Sequence, residues 1–513
     1  MEYTNFEHWK WLFSLNIGDF LRVVRHDKGL FTVAVLLALA VGWCIWVLFF
    51  KKRRVVTHGS ALWGGIKDAE QAGLITKPGE SALLGRLCDK WIGAPVHSLV
   101  CAKTRGGKGV GIIIPTLLTY KGSVICNDVK GENYAITARK REGIGQNVYV
   151  VDPYSEITDS TNCFNPLDYI KLNDPGAVTT ARQIAAILAN NQKNADGFFT
   201  EYGKTVLVTF ILYVCAKFGG EERTLGQVRK MLTQSAECKR KAMEEMQGMK
   251  EFDGVIAGGA NTLLELEGEA GEKNDTILGI YATAASMTAF LDDPRITKVL
   301  KKSDFAPEMF RYEPSTLYII VSPGNIAVST MLLKIIYTVS IQQNLTSKKP
   351  VQAQENELHK MERHLLFLMD EFAQLGHFEV VKDAMPVAAG YGISFCIIIQ
   401  GLNQLIEHYK EGGQEFLSNA IKLFLGAEGT KTAEQISEMC GDTTVETYSK
   451  DMKSKRTTSS YTSRRLVTVG EVIQAKVEKP FLISGGVKPL QINRITYYKD
   501  NFFKGQFDKY SAG

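Results

Sequence analysis

Lys108 lies in a turn of small residues, Ala102-Lys-Thr-Arg-Gly-Gly-Lys-Gly-Val-Gly111, after the apolar run Val96–Cys101 and before the apolar segment Val110–Leu118. Far downstream, the apolar stretch Leu365–Met369 ends in adjacent carboxylates, Asp370 and Glu371. Strand, glycine turn with lysine, then helix is the context of a phosphate-binding loop. The turn's N–H groups form an anion nest, and the helix N-terminus adds its positive dipole end. Thr104, Arg105, Gly106, Gly107, Lys108, Gly109 and Val110 would then hold ATP, with Lys108 reaching its β- and γ-phosphates. Two acids at the carboxyl edge of a buried strand are costly unless something uses them. In nucleotide hydrolysis the first, Asp370, holds Mg²⁺ and the second, Glu371, orients or deprotonates the attacking water.

The loop departs twice from G-x-x-x-x-G-K-[ST]. Ala102 replaces the first glycine, so the turn must open at negative φ. Gly109 replaces the hydroxyl residue that normally reaches Mg²⁺. The plain alternatives are an ordinary glycine turn and a strand ending in an acidic turn. Their joint occurrence favours nucleotide chemistry.

Those residues need a sheet to meet on. Val96–Cys101, Ser123–Asp128, Val148–Asp152, Thr316–Ser322, Ile393–Gln400 and Ile421–Gly426 read as short buried strands, and Phe481–Gly485 and Lys488–Tyr498 as closing strands. Alternation with helical segments predicts an α/β fold. Gln400, ending one strand, is placed to sense the γ-phosphate or else to cap a turn. Asp128-Val-Lys-Gly-Glu132 repeats the pattern of strand, acid and glycine turn, and reads as a plain turn or a site-facing loop. Between residues 181 and 310 the periodicity is helical over Ala181–Asn190, Glu201–Lys217, Leu225–Met246 and Thr276–Leu291, with glycine breaks at Gly219-Gly220, Gly258-Gly259 and Gly268–Gly271. Basic residues there (Arg229, Lys230, Lys239, Arg240, Lys241) mark a contact surface or a solvated helix face. Thr443–Arg465, dense in Ser, Thr and Lys, reads as a mobile loop, either solvated or tracking phosphates.

Leu30–Phe50 is uncharged and long enough to cross a bilayer, and Lys51-Lys-Arg-Arg54 follows it. That charge, and the need for cytosolic ATP, place the downstream body in the cytoplasm. Trp9–Val24 carries Lys10, Asp19 and Arg22 and reads as interfacial. Thr346–Arg363 is a polar surface connection. The 513 residues exceed one core. A net charge of +5 is too small to argue nucleic-acid binding by itself. Nine scattered cysteines form no C-x-x-C pair or metal-spaced cluster, as in a reducing compartment.

Specific words in the chain resemble one family, the type IV secretion coupling proteins, TraG-like membrane ATPases of conjugation. They are His58-Gly-Ser-Ala-Leu-Trp63, Thr104–Thr116, Asp128-Val-Lys-Gly-Glu-Asn133, Phe164-Asn-Pro-Leu-Asp168, Leu368-Met-Asp-Glu-Phe372 and Arg464-Arg-Leu-Val-Thr-Val-Gly-Glu-Val472. They stand in the family's order over roughly residues 55–500. In that family a glycine after the loop lysine is usual, and a glutamine occupies the place of Gln400. The expected fold is a RecA-like P-loop NTPase core with an inserted all-α subdomain and an N-terminal transmembrane helix. The divisions are 1–54 (membrane segment), 55–180 and 311–513 (nucleotide-binding domain), and 181–310 (all-α subdomain).

The resemblance implies a homo-hexamer in the bacterial inner membrane. It would bring relaxase-bound single-stranded DNA to type IV secretion channel proteins and power transfer by ATP hydrolysis. A transition-state arginine would come from a neighbouring subunit, with Arg464 or Arg465 as candidates. The alternatives are a coupling ATPase for protein effectors, a non-hydrolysing membrane docking platform, and a chromosome-segregation translocase. The short N-terminus and the family words count against the last.

Overall fold

The computed structural model describes residues 32, 36, 39–43, 57–189, 197–268, 274–321, 323–346, 364–450 and 457–510. They fall into two compact units: Ala61–Thr443 with the residues from Arg464 onward, and the residues up to Ser60 with Thr444–Ser463.

The first unit opens with a small antiparallel sheet of β1 (Ile75–Thr76), β2 (Ala82–Leu87) and β3 (Lys90–Ala94), in the order β1-β3-β2. Then come β4 (Ser98–Ala102), β5 (Ser123–Val129), β6 (Asn147–Val151), β7 (Ser315–Val321), β8 (Leu365–Met369), β9 (Ile393–Ile399) and β10 (Ile421–Leu425). After a hairpin of β11 (Asp442–Lys450) and β12 (Thr457–Arg465), the chain closes with β13 (Phe481–Ile483) and β14 (Leu490–Gln491). Nine strands form the main sheet in the order β14-β13-β10-β4-β9-β8-β5-β7-β6. The seven from β10 to β6 are parallel, and β13 and β14 are antiparallel at one edge.

Parallel strands are covered on both faces, so they read as unbroken apolar runs. All five residues of β4 and of β8, and all seven of β7, are buried. Alternate residues serve different cores. Leu99, Ile125, Phe367, Phe395 and Ile397 join one core with the helices Ala177–Ala189, Gly197–Lys217, Ile326–Thr346 and Glu379–Ala388. Val100, Val124, Leu366, Leu368 and Ile398 join the other, with Ile112, Ile113 and Leu117 of the segment after the lysine turn and with Leu84 and Ile92 of the small sheet.

Among the described residues between β6 and β7 the regular structure is helical. The expected single helix Leu225–Met246 is two, Leu225–Leu232 and Ala236–Met246, because the Ser235 hydroxyl accepts the Cys238 N–H as an N-cap. Gly258-Gly259 does not break a helix. Val255–Glu267 runs through both, and a Cβ on Gly259 would overlap the Thr209 hydroxyl, so glycine here permits close helix packing.

In the second unit Thr444–Lys450 and Thr457–Ser463 are strand rather than the expected loop. Every residue of β12 is exposed, so no apolar alternation betrays it. Thr- and Tyr-rich composition and the cross-strand Thr447–Ser460 hydroxyl pair (2.8 Å) favour pairing instead. At the hairpin's base Thr444 Oγ1 donates to the Gly59 carbonyl (2.9 Å).

The expected membrane span Leu30–Phe50 and interfacial segment Trp9–Val24 lie mostly or wholly outside the described residues, as does most of Thr346–Arg363. The described part of the span is helical, with Leu36, Leu39, Val41 and Trp43 exposed. Two described helices, Gly197–Lys217 and Ile326–Leu345, are long and apolar enough to cross a membrane, but most of each is buried in the protein as a core helix.

Candidate active site

In the main sheet β9 lies between β4 and β8, and β5 follows β8. The carboxyl ends of β4, β9, β8 and β5 therefore deliver, side by side, the lysine turn, Gln400, Asp370–Glu371 and Asn127–Asp128. Ligands in open parallel sheets bind at such strand ends.

The side chains meet there. Lys108 Nζ lies 2.9 Å from Asp370 Oδ1 and also donates to Glu371 Oε1. Gln400 Nε2 donates to both Glu371 oxygens, at 3.1 and 3.0 Å. Glu371 holds a left-handed backbone, φ 50°, two residues past the strand. A non-glycine residue there is uncommon and marks a constrained turn. Burial pushes the Lys108 ammonium toward losing its proton, but Asp370 and Glu371 outweigh it and hold its pKa above the usual lysine value. Burial raises the Asp370 carboxyl above its ordinary value, and the nearby Lys108 charge offsets this only in part.

The loop's opening follows the expectation from Ala102, which ends β4 without positive φ. Positive φ falls instead on Arg105 (59°) and Gly107 (84°). Gly106 N–H donates to the Lys103 carbonyl (2.7 Å) to close the turn. From Gly109 the chain enters a helical segment, Gly109–Ile113 with π-type bonding and Ile114–Thr119 as α-helix. A Cβ on Gly109 would meet nothing within 4 Å, so that position faces open space.

A family model, "Type IV secretory system Conjugative DNA transfer", matches residues 63–513. The chain belongs to that family. It is 30% identical to Protein VirD4 of Rhizobium radiobacter over 90% of this chain and 67% of the relative. It is also 30% identical to the conjugal transfer protein TraG of Escherichia coli, over 83% of this chain and 70% of the relative. Among solved structures, the plasmid coupling protein TrwB in complex with ADP and Mg²⁺ superposes with a TM-score of 0.63 at 14% identity, covering 86% of this chain and 94% of that one. A second TrwB structure, with the non-hydrolysable ATP analogue ADPNP, gives a TM-score of 0.64 at 15% identity, covering 86% of this chain and 95% of that one. The fold is thus one shared with TrwB, built on a mixed α/β sheet.

In this member of the conjugative DNA transfer family, two of the words that carry the resemblance are structural. Asp128 is buried, and its carboxylate accepts the N–H groups of Asn133 (3.1 Å) and Tyr134 (2.8 Å), capping the next helix rather than facing the lysine. Burial drives its pKa up to about 7, against those two N–H bonds, with the Asp370 charge adding to the rise. Asp168 of Phe164-Asn-Pro-Leu-Asp168 bonds Arg223 (3.0 Å) and Ser303 (2.7 Å), tying the 3-10 turn Pro166–Tyr169 to the helical region.

Arg464 and Arg465, the expected transition-state arginines, are half exposed and paired with Glu471 (2.6 Å) and Asp442 (3.5 Å), and neither touches the Lys108 cluster. Thr104 and Val110 stay with the loop by position, without a bond to that cluster. Among the described residues no group of three or more His, Cys, Asp and Glu is arranged for a metal. One buried carboxylate, Asp370, beside an anion nest nonetheless suits Mg²⁺, which takes one or two carboxylates and leaves its other positions to phosphate and water.

Sequence reasoning passed over three residues. Asn127 Oδ1 accepts the Asp370 N–H (2.8 Å) and its Nδ2 donates back to the Asp370 carbonyl (2.5 Å), while Tyr337 holds the same Oδ1 (3.0 Å). Its signal was an amide following the apolar run Val124–Cys126 inside a buried strand. Gln404 accepts the Gln400 N–H (3.0 Å), fixing the end of β9. Arg494 donates to the Gly106 carbonyl (3.1 Å) from 388 residues away, a pairing no local pattern announces.

Proposed function

We propose that this chain is an inner-membrane ATPase that couples relaxase-bound single-stranded DNA to a type IV secretion channel and drives its transfer by ATP hydrolysis. The observation that carries the reading is the convergence of Lys108, Glu371 and Gln400 within hydrogen-bond reach at three adjacent strand ends. The family match supplies the biological setting. The relatives' nucleotide complexes favour ATP with Mg²⁺ as the ligand.

The loop amides and Lys108 bind the phosphates. Lys108 must exchange its carboxylate partners for phosphate oxygens when ATP enters, which frees Glu371 to face the attacking water. Glu371 accepts that water's proton while Gln400, already spanning both its oxygens, keeps the carboxylate aimed and reads the γ-phosphate. Asp370, locked by Asn127, would hold Mg²⁺, which when bound would neutralise charge on the phosphates.

Leu30–Phe50 is the single-pass anchor, and the body lies in the cytoplasm. Residues 55–180 and 311–513 form the RecA-like nucleotide-binding domain around the all-α subdomain 181–310. Arg465 or Arg464 from a neighbouring copy would supply the transition-state cation, so activity should rise on assembly into a hexamer. A docking platform that does not hydrolyse ATP remains the second reading, favoured by Gly109 in place of the metal-binding hydroxyl. The Glu371–Gln400 pair counts against it.

The test is ATP turnover by the detergent-solubilised protein with and without single-stranded DNA. The reading expects stimulation that falls steeply with salt. ATP binding with no phosphate release by the assembled protein would favour the platform. Turnover indifferent to DNA would point to a protein substrate.

A further inference from the structure

Arg494 packs against the lysine turn, and this inference rests on the nucleotide-binding reading. Its Nη1 donates to the Gly106 carbonyl (3.1 Å). A Cβ on Gly107 would overlap that same Nη1, and one on Gly111 would come within 2.8 Å of Arg494 Cγ. One glycine of the loop and one of the helical segment after it therefore make room for this one side chain. The side chain is only 12% exposed, and its Nε–H is buried without a partner. Its Nη2 donates to Glu478 Oε1 (3.4 Å), an ion pair whose carboxylate is itself 60% exposed. Arg494 is in turn held by its own backbone N–H, which donates to the Glu478 carbonyl (3.0 Å).

A nearly buried cation whose ion-pair partner is largely solvated is only partly neutralised where it sits. Here it sits against an anion nest. Fixing the Gly106 carbonyl also fixes the peptide plane it shares with Gly107, and so the direction of the Gly107 N–H on the far side of that plane. Gly107 has φ 84°, which glycine reaches without strain, so what holds the neighbouring carbonyl rather than its own sterics sets the direction of that peptide.

We propose that Arg494 is a positioning residue for the triphosphate: it orients the Gly106–Gly107 peptide toward the phosphates and adds charge beside the loop. Because it acts on loop geometry in substrate and transition state alike, its loss should raise KM and leave kcat nearly intact.

The experiment measures KM and kcat for ATP, and the equilibrium Kd of a fluorescent ATP analogue, for the full-length wild type, Arg494→Gln and Arg494→Lys. The glutamine keeps a donor and fills the space without charge, and the lysine keeps the charge. Expected are a rise of about tenfold in KM and Kd for Arg494→Gln with kcat within about twofold, and recovery of most of the loss by Arg494→Lys, as suits a charge-assisted hydrogen bond. Gly111→Ala, which pushes on Arg494 from the helix side, should also raise Kd, and less so when combined with Arg494→Gln. Unchanged KM and Kd in Arg494→Gln, or an equal loss in Arg494→Lys and Arg494→Gln, would overturn the inference. A wild type that binds no nucleotide would instead sink the proposed function.

Discussion

Asp128 and Asp370 end neighbouring parallel strands and look alike as sequence: an apolar run, an acid, then a turn. Their carboxylates do different work. Asp128 accepts two backbone N–H groups of the helix that follows it. Asp370 has its backbone clamped on both sides by Asn127 and turns its side chain to Lys108. The same division separates two buried cations. Arg141 is fully buried, and its guanidinium is spent on the carbonyls of Leu117, Tyr120 and Gly122, on Thr316 and on Gln146. Those partners are fixed neutral dipoles, while Lys108 is held by carboxylates that an incoming phosphate can replace. A buried charge therefore indicates function only when its partners are exchangeable; otherwise it is scaffolding.

That contrast can be broken most forcefully at Glu371. Glu371→Gln should keep ATP binding and lower turnover by about 10²–10⁴, measured as single-turnover phosphate release. Wild-type turnover would move Glu371 to the scaffold side. Arg141→Ala should do the reverse. Leaving several buried acceptors without a donor should cost about 3–5 kcal/mol of unfolding free energy by denaturant titration. The affinity of the folded fraction for ATP should stay unchanged.

Two buried titrating groups sharpen the scaffold side with opposite signs. Burial lowers His97 from 6.5 to about 4, against the bond to the Met385 carbonyl. Below 6.5 the unfolded chain takes up a proton that the folded one refuses, so stability falls as pH drops toward 4. The loss amounts to about 3 kcal/mol. His97→Gln, which donates and accepts without titrating, should flatten that loss in a pH series of melting temperatures. Asp128 lies the other way. Its raised folded pKa makes its stabilising share complete below 3.8 and lost as pH rises through about 7. Relative to wild type, Asp128→Asn should therefore melt progressively higher from pH 4 to 8, with turnover within a few-fold throughout. A melting difference that ignores pH would mean that Asp128 titrates normally. The smallest effect belongs to the hairpin. Thr447→Ala removes one exposed cross-strand pair and should cost at most about 1 kcal/mol without touching ATP turnover.

The parts of the fold legible in the sequence were those governed by burial. The parallel strands from β4 to β10 lie within two residues of their expected ends, because double-sided burial writes an unbroken apolar run. Lys108, Asp370, Glu371 and Gln400 were legible because strand ends are where polar residues stand out against such runs. What escaped was set by contacts across the chain. The small sheet β1–β3 has little local signature beyond β2, β12 has no buried face, and Gly259 looked like a breaker until Thr209 was seen against it. Arg494 and Asn127 act on residues 388 and 243 positions away, beyond any window of periodicity. The same lesson explains Asp128: its pattern matched that of Asp370, and only the direction of the following helix told them apart.

The central claim is that the Lys108 turn and the Asp370–Glu371 tip close on one triphosphate. Equilibrium binding of ATP with Mg²⁺ to Lys108→Ala, beside wild type of matched stability, tests it most directly. The account predicts that binding falls by at least about a hundredfold, as loss of a desolvated charge to phosphate requires. Wild-type affinity in that variant would contradict it, leaving the carboxylate pair without the ligand it is built around.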